Sequence, residues 1–221
     1  MGKTAIILGA SGLTGSLLLE KLTADERYDV IKIISRSSVN STSNKVQEHL
    51  GDLLNMKQFK AVFKADEVYC CIGTTASKTK DRQMYKAIDF GIPVAAAKLA
   101  KENGIATFMV ISAMGANAKS NIFYNRTKGE MEQAVLQEKV DNTYVLRPSL
   151  ITGGRKEKRT GEKFAITIFK FINYLLIGPF AKYQSIKAES IAEAMIHLAN
   201  SDSDKSIIES DKIEEIGSIN A

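Results

Sequence analysis

Residues 4–20, TAIILGASGLTGSLLLE, decide the fold. The apolar run Ala5, Ile6, Ile7 and Leu8 breaks into Gly9-Ala10-Ser11-Gly12-Leu13-Thr14-Gly15, and apolar character resumes at Leu17, Leu18 and Leu19. That succession is a strand, a tight turn and a helix. Each glycine has its own task. The first permits a sharp turn, the second lets backbone approach a pyrophosphate with no Cβ in the way, and the third lets the helix pack close on the strand. A diphosphate is then held by free N–H groups at the positive end of the helix dipole. The spacing is G-x-x-G-x-x-G, not the G-x-G-x-x-G of two-domain dehydrogenases, and a purely structural turn can share it. The strand before it, the helix after it and its position near residue 1 favour a nucleotide site.

The 221 residues, 44% of them apolar, suffice for one large α/β domain with a continuous core, and the reading is a single domain over residues 1–221. Its nucleotide-binding half covers about residues 1–150, and substrate-side and C-terminal elements cover about 151–221. The net charge of +5 is modest, and apart from a cluster at residues 155–159 the basic residues are dispersed. That excess suits an anionic cofactor and gives no reason to expect nucleic acid. Cys70 and Cys71 are adjacent in an apolar run, so on a strand their side chains point to opposite faces, and neither a disulfide nor a metal set follows. Reduced thiols and the lack of a signal-peptide pattern at Met1-Gly2-Lys3 lead to an expectation of a cytoplasmic protein. Residues 164–180 are the most hydrophobic later stretch, yet Lys170, Asn173 and Gly178-Pro179 interrupt it, and no membrane span is expected.

Further along, YDVIKII at residues 28–34 is a second parallel strand whose end delivers Arg36 beside the ribose of a bound dinucleotide. A carboxylate there would repel a 2′-phosphate, whereas a guanidinium holds it through paired hydrogen bonds, so NADP(H) is favoured over NAD(H); the competing reading of Arg36 is a solvated loop residue. A third strand at residues 46–50 ends at Gly51-Asp52-Leu53, where Asp52 either accepts from an adenine amino group or caps the next helix. A fourth strand at residues 68–72 closes in Gly73, Thr74 and Thr75. Residues 80–102 read as one long helix with a kink at Pro93 and a stop at Asn103-Gly104. A fifth strand at residues 105–111 brings Ser112 to the same edge, and in NIFYNRTKGEME, residues 121–132, Tyr124 and Lys128 stand four apart on one helix face. A sixth strand at residues 143–146 leads into RPSLITGGR. An apolar helix at residues 164–177 serves core or dimer packing or else lines the pocket; a helix at 189–196, a strand at Ile207 and Ile208 and a helical turn at 210–217 complete the chain.

Four pieces in fixed order, GASGLTG, the strand-end Arg36, Ser112 with YNRTK, and RPSLITGGR, resemble the short-chain dehydrogenase/reductase superfamily. More closely, the chain is similar to its atypical, NAD(P)H-binding branch, which includes the Tat-interacting-protein-like reductases. The resemblance implies a Rossmann-type doubly wound parallel sheet in a single domain with a small C-terminal substrate-side extension. It implies that Gly9, Ser11, Gly12, Leu13, Thr14 and Gly15 cradle the pyrophosphate, that Arg36 takes the 2′-phosphate, and that Asp52 and Leu53 meet the adenine. Gly73, Thr74 and Thr75 then lie on the ribose and nicotinamide side, with Pro148 also on the cofactor. Tyr124 is the implied general acid for a small-molecule carbonyl substrate, Lys128 its electrostatic partner and ribose ligand, and Ser112 a third catalytic residue. A free tyrosine, with a pKa of about 10, exchanges protons poorly near neutrality, and a neighbouring cation lowers that value. The chain departs from the classical members at Ala113, where a second serine often stands, and at Asp89, where their long helix carries asparagine. The alternative to an enzyme is a non-catalytic NADPH-binding regulatory protein, and a homodimer is compatible with either.

Overall fold

The computed structural model describes residues 2–153, 184–201 and 205–219. Seven strands form one parallel sheet: β1 (Lys3–Leu8), β2 (Tyr28–Ser35), β3 (Val46–Leu50), β4 (Glu67–Cys70), β5 (Thr107–Ile111), β6 (Asn142–Arg147) and, after a short separate ladder, β9 (Ile207–Glu209). Their spatial order is β3-β2-β1-β4-β5-β6-β9. The separate ladder pairs β7 (Ile151–Thr152) with β8 (Ile186–Lys187). Strand order reverses between β1 and β4, because β2 and β3 were laid down on one side of β1 and every later strand on the other. A doubly wound sheet binds its ligand at such a switch point, outside the carboxyl ends of the strands.

The apolar run of β1 is buried on both faces, as a central parallel strand must be. Ala5 and Ile7 face one core, packed with Leu18 and Leu22 of α1 (Leu13–Ala24) and Ile191 and Met195 of α5 (Ala188–Ala199). Ile6 and Leu8 face the other, with Phe59 and Phe63, with Ala96 of α3 (Ile92–Glu102) and with Met131 and Val135 of α4 (Phe123–Gln137). The late strand expected at Ile207 and Ile208 is β9, and the turn after it is an eight-residue helix, α6 (Ser210–Gly217). The expected helix at residues 164–177 and the basic loop at 155–163 lie outside the described residues.

The expected long helix over residues 80–102 is divided. A short helix, α2 (Arg82–Lys86), passes into a π-helical turn (Ala87–Gly91) before α3 begins. Pro93 falls in the first turn of α3, where its missing N–H costs nothing. The Ile92 N–H reaches back five residues to the Ala87 carbonyl. The wide turn takes up the register change in place of a kink at the proline, and it carries Asp89 into the interior, with 1% of its surface left exposed. Strand β4 also ends two residues earlier than the apolar run suggests. Its neighbour β1 stops at Leu8 opposite Cys70, which leaves Cys71 one further backbone bond, to the Leu8 carbonyl at 2.8 Å.

Candidate functional site

The glycine turn is shaped as its spacing requires. Gly9 has φ of +86°, and a Cβ there would lie 2.8 Å from the Cys71 carbonyl oxygen. A Cβ on Gly15 would lie 2.1 Å from the Gly9 carbonyl oxygen, so helix α1 can sit this close to β1 with glycine alone. The Gly12 N–H donates to the Gly9 carbonyl at 2.9 Å, and Gly12 caps α1 with no side-chain acceptor over the first helical N–H groups. Ser11 and Gly12 are exposed, Leu13 is half-buried and Thr14 is buried. The first N–H groups of a helix lack partners within it, and at this positive end, with no side-chain cap and no Cβ on Gly12, these residues fit the diphosphate of a dinucleotide.

Other strand ends meet the same edge. Arg36 stands exposed just beyond β2 and forms no ion pair among the described residues. Asp52 is the cap of a 3-10 helix (Leu53–Phe59), its Oδ1 accepting from the Leu54 N–H at 3.0 Å, while Leu53 is buried in the core beneath. Of the two uses weighed for Asp52, the cap occupies Oδ1. Beyond β4, Thr74 donates its N–H to Asp89 Oδ2 at 2.7 Å, and its hydroxyl lies 2.9 Å from that of Thr79; the Thr75 hydroxyl lies 2.9 Å from that of Ser77. Pro148, buried after β6, accepts the Met114 N–H at 2.9 Å.

Helix α4 supplies the pair. Lys128 is 4% exposed, its Nζ 3.1 Å from Asp89 Oδ1 and 3.3 Å from the Ile111 carbonyl. Tyr124, one turn earlier, is 41% exposed. The expected lowering of the phenol is not what the surroundings produce. Burial raises its pKa, Lys128 acts in the opposite sense, and the negative charge of Asp89 adds to the rise, so the net direction is upward. The cation was legible in the sequence, but the carboxylate that offsets it arrives only through the π turn.

Ser112 has a partner of its own. Its hydroxyl donates to Glu132 of α4, which binds Arg147 at 2.6 Å, and Arg147 in turn reaches Glu209 at 3.0 Å. These bonds raise the pKa of Arg147. With its hydroxyl committed to that buried network, Ser112 ties β5 to α4, and position 113, which follows it, holds alanine. Reading the sequence did not find Glu132 or Arg147 as partners. The available signal was Glu132 four residues after Lys128, on the same helical face. Cys70 and Cys71 are free thiols; burial pushes Cys70 up to about 11 and Cys71 higher still, so both stay protonated. Among the described residues no helix is long and apolar enough to cross a membrane.

Comparison with known proteins places this geometry. The Candida albicans protein FMP52, mitochondrial, is 35% identical over 171 residues, covering 75% of this chain and 75% of its own length. The protein HTATIP2 of Rattus norvegicus is 31% identical over 171 residues, covering 76% of this chain and 70% of its own. Among solved structures, the Bordetella bronchiseptica enzyme WbmG in complex with NAD superposes with a TM-score of 0.69 at 14% identity, over 98% of this chain and 76% of that one. The Helicobacter pylori ADP-L-glycero-D-manno-heptose-6-epimerase gives 0.70 at 15% identity, over 97% and 80%. At such identities the likeness is one of fold, the Rossmann fold of dehydrogenases and epimerases. The expectation of a cytoplasmic protein is overturned, since relatives such as the Candida protein are mitochondrial by name. The family model described as NAD(P)H-binding matches residues 9–202, and with the glycine cradle and the HTATIP2 likeness this chain belongs to that NAD(P)H-binding family, as an atypical short-chain dehydrogenase/reductase.

Proposed function

We propose that this protein is an NADPH-dependent reductase of a small carbonyl compound, with Tyr124 as the general acid. The observation that carries the reading is the convergence on one sheet edge of an uncapped, glycine-built helix start and the Tyr124–Lys128–Asp89 group. When bound, the reduced nicotinamide supplies the hydride. The chain's own residues do the rest. The phenol is protonated at neutral pH and so carries the proton that a reduction needs, but a pKa above the ordinary value makes it a weaker acid, and release of that proton depends on what stabilises the phenolate. As its proton passes to the carbonyl oxygen, the phenolate left behind forms beside the Lys128–Asp89 pair, where the ammonium favours it and the carboxylate opposes it. Gly9, Ser11, Gly12, Leu13, Thr14 and Gly15 bind the diphosphate; Gly73, Thr74, Thr75 and Pro148 line the path toward the nicotinamide.

The preference for NADPH rests on Arg36, a guanidinium free to make charge-assisted bonds to a 2′-phosphate, each contributing roughly 1.5–3 kcal/mol. Titration with NADPH and NADH, read by nicotinamide fluorescence, is expected to show NADPH binding at least ~10-fold tighter, with Arg36→Ala erasing the difference. Tyr124→Phe is expected to abolish turnover and leave NADPH affinity nearly intact. Wild-type turnover in that variant would remove Tyr124 from its role. The second reading, a non-catalytic NADPH-binding regulator, is favoured by one observation, the engagement of Ser112 with Glu132 beside Ala113. NADPH binding without NADPH oxidation across a broad carbonyl panel decides for it. The mitochondrial names of the relatives support a mitochondrial location, testable by organelle fractionation.

A further inference from the structure

Asp89 is a carboxylate 1% exposed at the heart of the site. Its Oδ2 takes the Thr74 N–H at 2.7 Å, which fixes the turn after β4. Its Oδ1 lies 3.1 Å from Lys128 Nζ but out of line for a hydrogen bond, so that oxygen is buried with charge opposite it and, among the described residues, no donor aimed at it. Other groups face the pair from every side. Tyr124 stands one turn before Lys128 on α4, Tyr85 looks in from α2, and Cys70 from the end of β4; outside them a Lys86–Glu130 ion pair at 2.6 Å joins α2 to α4. A buried ammonium held this close to a buried carboxylate contributes little net field to a third group. The two charges act on the phenol with opposite sign, the carboxylate offsetting part of the pull of the ammonium.

We propose that Asp89 is the positioning residue of this site: it fastens Lys128 to the turn at residues 73–75 as one half of an electrically neutral pair, so that Tyr124 works beside that pair and not beside a free cation. The upward direction of the phenol is consistent with this arrangement. Opening of the pair would then expose the phenol to the full charge of Lys128, which makes the Asp89–Lys128 contact the control on proton release. The inference builds on Tyr124 as the acid. It is tested in the cofactor-free protein, so its failure is separate from any failure of NADPH binding or turnover.

The test follows phenolate absorbance with pH, taking the difference between each background with Tyr124 and the same background with Tyr124→Phe. Asp89→Asn keeps an acceptor for the Thr74 N–H and removes the charge; Tyr124 is expected to titrate lower than in the wild type by roughly one pH unit or more. If Asp89→Asn alone does not fold, the double variant Asp89→Asn with Lys128→Gln removes both charges and leaves none buried. Its phenol is expected to titrate together with the wild type. A phenol that titrates alike in the wild type and Asp89→Asn overturns the proposal. So does a double variant that titrates above the wild type, the result a free Lys128 cation would give. A purely structural role for Asp89 moves stability but does not produce this ordering.

Discussion

The two ends of β4 carry the same chemistry put to different use. At its start, Glu67 is 2% exposed and accepts from the Tyr28 hydroxyl at 2.8 Å, the Tyr69 hydroxyl at 2.6 Å and Lys3 Nζ at 2.6 Å. Asn200, after α5, completes the cluster by donating to Tyr28 at 2.9 Å and accepting from Lys3 at 2.8 Å. Beyond its far end, Asp89 also meets a lysine and stands among tyrosines, yet one of its oxygens has no aligned donor and the nearest α4 phenol is half open to solvent. A carboxylate with both oxygens answered locks the elements around it, here β1, β2, β4 and α5. A carboxylate left partly unanswered beside an accessible phenol has interactions still to make. Buried acid, lysine and tyrosine are therefore not by themselves a site; the difference is whether the network closes on itself.

The largest effect that distinguishes the two ends is expected from Glu67→Ala. It takes the charged acceptor away from two buried phenols, each such bond contributing roughly 1.5–3 kcal/mol, while Lys3, 38% exposed in its side chain, keeps the Ala199 carbonyl and Asn200. Urea denaturation is expected to show that loss with NADPH affinity unchanged in the fraction still folded. If cofactor affinity fell while stability held, Glu67 would belong to the functional end and the contrast would fail. A somewhat smaller effect is expected from alkali. Tyr28 and Tyr69 are raised first by burial and then by the charge of Glu67, and Cys70 is raised from 9.0 to about 11. A group whose folded value lies above its unfolded one stabilises fully below the unfolded value and loses that contribution as pH climbs through the folded one. The Tm is therefore expected to fall progressively from pH 9 upward, with Cys70 alone removing ~2–3 kcal/mol by pH 11, at 1.36 kcal/mol per pH unit. A flat Tm between those values would contradict the burial of these groups.

How much of this was legible beforehand follows from the range of the forces involved. The glycine turn, the strand-end Arg36 and the Tyr124–Lys128 spacing are local, and local geometry is written in consecutive residues. The sheet followed too, because an unbroken apolar run such as Ala5 to Leu8 fits a parallel strand covered on both faces. What sequence reading missed is long-range pairing. Nothing near Glu67 names Tyr28 or Lys3, and nothing near Ser112 names Glu132, twenty residues away on α4. The π turn escaped for a related reason: Pro93 signals a disturbance in the helix, while the register shift that absorbs it is chosen by the packing of Ala96 and Ile92 against the sheet. That shift set the direction of Asp89, whose charge adds to the rise that burial imposes on Tyr124.

Ser112 offers a smaller test of the same contrast, because Glu132 at its side is as fully answered as Glu67. Ser112→Ala removes one bond from a carboxylate still held by Arg147, at a cost of about 1 kcal/mol. Turnover on a substrate that wild type reduces is expected to stay within a factor of about two, the change expected when no transition-state contact is lost. A hundredfold loss would return Ser112 to the catalytic group and put the Glu132 network at the functional end of the molecule.

Asp52 gives the smallest and sharpest case, a carboxylate with its two oxygens in different situations. Oδ1 is occupied by the Leu54 N–H, while Oδ2, on an exposed residue, has no hydrogen-bond partner among the described residues. Serine caps a helix about as well as aspartate, so Asp52→Ser is expected to change stability by less than ~0.5 kcal/mol. Its lone oxygen must then serve the cap, and nothing remains for an adenine amino group. If the open oxygen of Asp52 takes that amino group, NADPH affinity in Asp52→Ser falls by roughly five- to tenfold, the worth of one hydrogen bond, with the melting curve unmoved. Unchanged affinity would make Asp52 a cap alone. The carboxylate with a spare oxygen would then be as structural as the one with none, and openness would mark function only where, as at Asp89, the oxygen is also buried.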